Sequence, residues 1–321
     1  MSSIYDFNIL AAPLHCAQID LSPYARWSPN GITVSGGHGQ GSELSQLNHP
    51  YGLYVDDNKI IYVADYENHR IVAWPPGATY GQVVAGGNGP GQGLHQLNKP
   101  TDVIIDHATE SLLICDCLNR RVVRWPLRGG IRGEILLRDI NCRGLTMDDC
   151  GFLYVSDVRK HEVRRWQVGK ARGTVVAGGN GQGLRLNQLN FPTYLFVDRN
   201  YTIYVSDSCN HRVVKWIKGI TEGIVVAGGH GQGENVNQMS HPQGVIVDEV
   251  DTVYVADSWN YRIMRWPRGA TQGTVVAGGN DAGPQTNQLN LLEGLSFDRY
   301  GHLHVADMIN HRLQRFELVS T

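Results

Sequence analysis

Short apolar runs, each closed by an Asp, alternate with turn-rich polar stretches along nearly the whole chain. In one unit Gly244-Val245-Ile246-Val247-Asp248 is followed by Val253-Tyr254-Val255-Ala256-Asp257. Next come Asn260-Tyr261-Arg262-Ile263 with Trp266, and then Thr274-Val275-Val276-Ala277-Gly278-Gly279. Runs of this length, rich in Val, Ile and Tyr and bounded by Gly, Asn and Asp, predict β-strands. The unit therefore reads as four consecutive strands, and it recurs six times.

The Asp closing the second strand stands at 65, 116, 157, 207, 257 and 307; the one closing the first stands at 56, 106, 148, 198, 248 and 298. Nine residues after each second Asp comes Trp74, Trp125, Trp166, Trp216 and Trp266, with Phe316 in the last unit. A period near fifty built of short strands predicts a β-propeller. The expectation is an all-β, six-bladed β-propeller with four antiparallel strands per blade. Residues 31–321 form the ring, and residues 1–30 form an extension packed on its rim, with Trp27 as a rim contact. The sixth unit supplies only three strands before the chain ends, and Ile32-Thr33-Val34-Ser35-Gly36 matches the missing fourth. The N-terminal strand is thus expected to complete the last blade, which leaves no open edge.

Within a blade the first strand should line the central channel, the second should be buried on both faces, and the Trp of the third should fill the space between blades. A long return, Gly-Gly-x-Gly followed by Gln-Leu-Asn or a variant, leads into most inner strands. Its glycines suit a tight return. No Lys-Ser or Lys-Thr and no helix follows, so it is not a phosphate loop. The third unit lacks this loop across residues 131–141, and one rim is expected to be low there.

Twenty-eight basic against 30 acidic residues, a net charge of -2, argue against a general nucleic-acid or anionic-membrane binder. No run of 18 apolar residues predicts a transmembrane helix. The start of the chain lacks a signal-peptide pattern, whereas the sequon Asn200-Tyr201-Thr202 in a predicted turn leans toward a secreted or extracellular setting. A monomer is expected. Six cysteines are too few and irregular for a disulfide scaffold. Cys117 with Cys142 is a candidate bridge, against the alternative of free, partly buried thiols. Cys115-x-Cys117 has no second pair to complete a zinc site.

The runs Tyr62-Val63-Ala64-Asp65, Asn68-His69-Arg70-Ile71, Asn210-His211-Arg212-Val213 and Asn310-His311-Arg312-Leu313 resemble the NHL repeat, whose family forms six-bladed propellers. The resemblance spans roughly residues 31–316. Unit three departs most, with Lys160-His161-Glu162 in place of Asn-His-Arg. Asp65 with Arg70, Asp116 with Arg121, Asp207 with Arg212, Asp257 with Arg262 and Asp307 with Arg312 recur too often for catalysis and predict a structural clasp. His69, His211 and His311 belong to the same turn and are discounted as catalysts.

Function is sought where the repeats disagree. The starts of the inner strands hold His49, Lys99, Asn141, Phe191, His241 and Leu291. Two residues on stand Tyr51, Thr101, Arg143, Thr193, Gln243 and Glu293; one further are Gly52, Asp102, Gly144, Tyr194, Gly244 and Gly294. These rings predict a mixed-polarity binding site at one mouth of the channel, with Tyr51, Lys99, Asp102, Asn141, Phe191, Gln243 and Glu293 as ligand contacts. His49 and His241 occupy equivalent positions in blades one and five and are candidate ligands for zinc or copper, with Glu293 or water completing the shell. The peptidylamidoglycolate lyase domain is similar to an NHL propeller and holds zinc by pore-facing histidines; that resemblance implies Arg143 and Tyr194 as counterparts of its Arg and Tyr. A ligand-binding or protein-interaction propeller, with a protein, peptide, glycan or small molecule at the mouth, is the first reading. A metal-dependent lyase or hydrolase is the second: Arg143 would steady an oxyanion and Tyr194 would move a proton. Single-stranded RNA binding is the third; nucleic acid is disfavoured because the basic patch of Lys99, Arg138 and Arg143 lies beside Asp102 and Glu293.

Overall fold

The computed structural model describes residues 19, 21–22, 24–170 and 172–320. Cys16 and most of the 1–30 extension lie outside them. The described chain forms six four-stranded antiparallel sheets. Blade 1 comprises Pro50–Val55, Ile61–Asp65, Arg70–Trp74 and Gln82–Gly86. The other inner strands are Pro100–Asp106, Cys142–Met147, Pro192–Val197, Pro242–Val247 and Leu292–Phe297. As the Val- and Ile-rich pattern predicts, the second strands are buried, Ile61–Asp65 and Val253–Asp257 at every residue, with only Phe152 at the start of the blade 3 strand half-buried. Trp74, Trp125, Trp216, Trp266 and Phe316 are fully buried.

The ring closes as expected. Ile32–Gly36 pairs antiparallel with Arg312–Phe316, Ile32 opposite Arg315 and Gly36 opposite Arg312. A second tie was not legible in the repeat: Arg26–Trp27 pairs with Leu318–Ser320 beyond the last blade. Trp27 is buried on Tyr254 and Phe297, and its indole N–H donates to the Gly301 carbonyl at 2.8 Å.

All five predicted clasps form. In blade 4, Arg212 Nε donates to Asp207 at 2.7 Å, and its other nitrogens donate to the carbonyls of Leu184, Arg185 and Gln188 in the preceding return loop. Asp207 also accepts the Asn210 side chain and the Asn190 backbone N–H. The Arg therefore fastens the long loop to its own blade. Blade 3 has no long loop before its inner strand, and it has Glu162 where the Arg would stand, bonded instead to Arg164. The two departures in unit three have one physical cause: without the loop there are no carbonyls for the Arg to hold.

The disulfide expectation is corrected. Cys115 bonds to Cys142, joining blade 2 to the inner strand of blade 3, while the Cys117 thiol is free. The strand Ser111–Asp116 ends before Cys117, which enters the short 3-10 turn Cys117–Asn119. Cys115 stays in the strand, fully buried like Cys142. Among the described residues no helix is long and apolar enough to cross a membrane.

Candidate functional site

Each inner strand enters the channel through an irregular register. Between Pro50 and Leu53, for example, the pairing with Asp65 and Val63 shifts by one residue. Bulges of this kind redirect side chains. At the bulge four blades have glycine, and neighbouring inner strands come very close. A Cβ on Gly52 would collide with the Asp102 side chain, and one on Gly294 would lie 2.9 Å from the Gly52 Cα. Blades 2 and 4 alone place side chains at this level, Asp102 and Tyr194.

One residue earlier the channel is crossed. Arg143 of blade 3 donates to both carboxylate oxygens of Glu293 in blade 6, directly opposite, at 2.9 and 2.8 Å. Tyr194 donates its phenol O–H to the Thr101 carbonyl at 3.4 Å. Burial pushes the Glu293 carboxyl upward against the pull of Arg143, and it pushes the Tyr194 phenol well up. Outward from the axis, the Arg143 guanidinium lies 4.3 Å over the Tyr51 ring, and Tyr51 stacks on Tyr66 at 4.2 Å. Lys99 sits 4.9 Å above Tyr66 and pairs with Glu67 at 2.8 Å. A continuous ladder of charges and rings thus runs from the channel axis to the rim of blade 1.

Asp102 lies just below the ion pair. Its oxygens accept the backbone N–H groups of Val103 and Leu145 at 3.0 and 2.9 Å. Burial raises its pKa to about 7, opposed by these two N–H groups and by Arg143. Gln243 donates to Ser208, but its carbonyl oxygen is buried with no partner among the described residues, as is Arg143 Nε.

The predicted histidines are held locally. His49 Nδ1 lies 2.8 Å from the Asn48 side chain, and its ring meets His311 edge-on. His241 lies against Ser240, His211 and Trp259, the last stacked at 4.0 Å. Glu293 is engaged by Arg143 instead of by either. Among the described residues no three His, Cys, Asp or Glu side chains come together as a metal site. Asn141 stays at the rim, half-buried, where its carbonyl accepts the Val158 N–H. Phe191 is exposed, and so is Trp259 in the neighbouring blade's turn. Trp259 and Tyr66 belong to the mouth and escaped the repeat comparison. The available signal was that Trp259 stands outside the repeated packing position of the other tryptophans.

The NHL repeat family profile matches residues 47–74, most of blade 1. No curated protein matches the sequence. Solved structures with the same fold include an auxiliary nutrient binding protein from Bacteroides thetaiotaomicron, 16% identical, covering 92% of this chain and 77% of that one with a TM-score of 0.69. A gluconolactonase from Xanthomonas campestris is 14% identical over 96% of this chain and 98% of its own, TM-score 0.63. A catalytically inactive virginiamycin B lyase from Staphylococcus aureus, solved with quinupristin, is 12% identical over 92% and 100%, TM-score 0.58. At these identities the likeness extends to the six-bladed fold.

Proposed function

We propose that this NHL-repeat propeller is a non-enzymatic interaction module that receives a protein segment across the mouth of the channel where the inner strands begin. The carrying observation is the make-up of that mouth. Its axis is closed by Arg143 and Glu293, and its rim exposes Trp259 and Phe191 on adjacent blades. Exposed aromatic anchors around a polar centre match the anatomy of a protein interface. Leu118, exposed in the equivalent turn of blade 2, extends the apolar area.

The lyase reading has less support. Arg143 is committed to Glu293, and the two candidate metal ligands are each engaged in their own blade junctions. RNA binding is disfavoured because both central cations, Lys99 and Arg143, are paired with carboxylates. The buried disulfide and the exposed Asn200 sequon support an oxidising, extracellular setting.

The test is selection from a displayed peptide library, with the F191A/W259A double variant as counter-selection. Enriched peptides should lose at least about tenfold in affinity for the double variant at unchanged melting temperature, the range expected when aromatic anchors are truncated. Peptides that bind both proteins equally, or a glycan array that gives the only specific signal, would overturn the reading. Zinc or copper bound stoichiometrically and lost in His49→Ala and His241→Ala would favour the enzyme instead.

A further inference from the structure

The channel has a second compartment at the opposite end from the proposed protein-binding mouth. Below Asp102 and Tyr194 it opens into a cavity of about 110 Å³ whose walls come from several inner strands, among them Leu53, Ile104, Leu145, Leu195, Val245 and Leu295. Its other end is lined by Ile19 and by the turns that carry Asp148, Asp149 and Asp198. For scale, an engineered apolar cavity of about 150 Å³ takes up benzene, and one water needs only about 10–15 Å³ of such space. This compartment is large enough for a small organic molecule.

Its chemistry is one-sided. At the closed end stands a single carboxylate, Asp102, which receives two backbone N–H groups and lacks a side-chain cation of its own. The nearest guanidinium, Arg143, is taken by Glu293. At the other end Asp148 and Asp198 are buried in their own turns, where they accept backbone N–H groups, and Arg199 is paired with Glu249 at 3.0 Å. A largely apolar barrel with a carboxylate at its floor favours a guest that is apolar along its length and cationic at its tip. The glycine ring explains why the acid can stand there: without a Cβ on Gly52, the blade 1 strand leaves room for the Asp102 side chain.

We propose that this compartment is a binding site for a small apolar primary amine, its ammonium directed at Asp102 and its hydrocarbon body among the leucines of the inner strands. The site is separate from the aromatic mouth, because the Arg143–Glu293 pair lies between them, and it stands or falls independently of the protein-interaction reading.

The probes are n-butylamine, n-butanol and butyrate, which share one hydrocarbon and differ in head group. Each is titrated into the full-length protein at matched ionic strength, with binding read by calorimetry and by the shift in melting temperature. Butylamine should bind at least about tenfold more tightly than butanol, the discrimination expected of one buried charge-assisted contact, and butyrate should not bind. Asp102→Asn should remove the preference of amine over alcohol. Thr146→Phe places a ring in the cavity from a half-exposed wall position, and should abolish binding of both even if Asp102→Asn folds poorly. Equal binding of amine and alcohol by the wild type would overturn the role of Asp102. No binding of any probe, or amine binding that survives Thr146→Phe, would overturn the site.

Discussion

His69 Nδ1 accepts the backbone N–H of Lys99 across the junction between blades 1 and 2, at 3.1 Å. The same bond joins His161 to Phe191, His211 to His241 and His311 to His49, at 3.1 to 3.2 Å. Each N–H so captured belongs to a non-glycine residue in the left-handed region, with φ between 51° and 56°. The repeat's histidine is therefore a latch that holds the next inner strand in an unfavourable backbone conformation.

An accepting Nδ1 requires a neutral ring with its proton on Nε2. Burial holds His69, His211 and His311 below their ordinary value of 6.5. As pH falls, the unfolded chain is protonated first. These groups thus contribute stability above about pH 6.5 and lose it as pH falls through the lower folded-state values. The wild-type melting temperature should drop between pH 7 and pH 5. His211→Asn, which tolerates the left-handed backbone, should cost about 1 kcal/mol at pH 7 and make that drop shallower. An unchanged pH slope in the variant would show that this latch does not titrate in that range.

The clasp predicts a larger effect. Arg212→Ala removes a buried cation from Asp207 and frees three loop carbonyls. Breaking one partner of a buried pair costs about 3–5 kcal/mol. Urea unfolding should show a loss in that range, while binding to peptides selected at the mouth changes little. Lost binding with unchanged stability would place Arg212 in the site.

The fold was legible because its determinants are local and repeated: a strand-closing Asp, a turn and an inter-blade Trp recur in register. Even unit three, read from sequence as two separate departures, becomes one once Arg212 is seen to hold its own blade's loop. The mouth was less legible. Equivalent positions identified Arg143 and Glu293, but not that they meet. Two side chains 150 residues apart can join only because the ring places blades 3 and 6 opposite each other, and spacing along the chain carries no trace of that. Cys115 shows the same limit: its choice over Cys117 depended on where a strand stops.

The Cys115–Cys142 bond closes a loop with a sequence separation of 27. Chain-entropy arithmetic for a loop of that size yields about 3–4 kcal/mol of stabilisation. A mild reductant should lower the wild-type melting temperature and leave that of a C115S/C142S variant where it was. Equal sensitivity in both proteins would mean that the reductant acts elsewhere.

The cross-axis pair offers the sharpest energetic test, because Glu293 is buried, Arg143 is largely so, and each has few other charged neighbours. Glu293→Gln leaves the Arg143 cation without its carboxylate and should destabilise by about 3–5 kcal/mol. Arg143→Met leaves the carboxyl in a medium that already pushes its pKa up, now without the guanidinium that opposed the shift. A carboxyl whose folded pKa lies above its unfolded value favours the folded state at low pH and loses that advantage as pH rises through the unfolded value toward the folded one. The melting temperature of Arg143→Met should therefore fall more steeply than that of the wild type between pH 5 and pH 8. In the R143M/E293L double variant neither charge is stranded, so its loss should be smaller than the sum of the single losses by more than about 1 kcal/mol. Strict additivity would show that the two residues act separately and that the channel is not held shut by their contact.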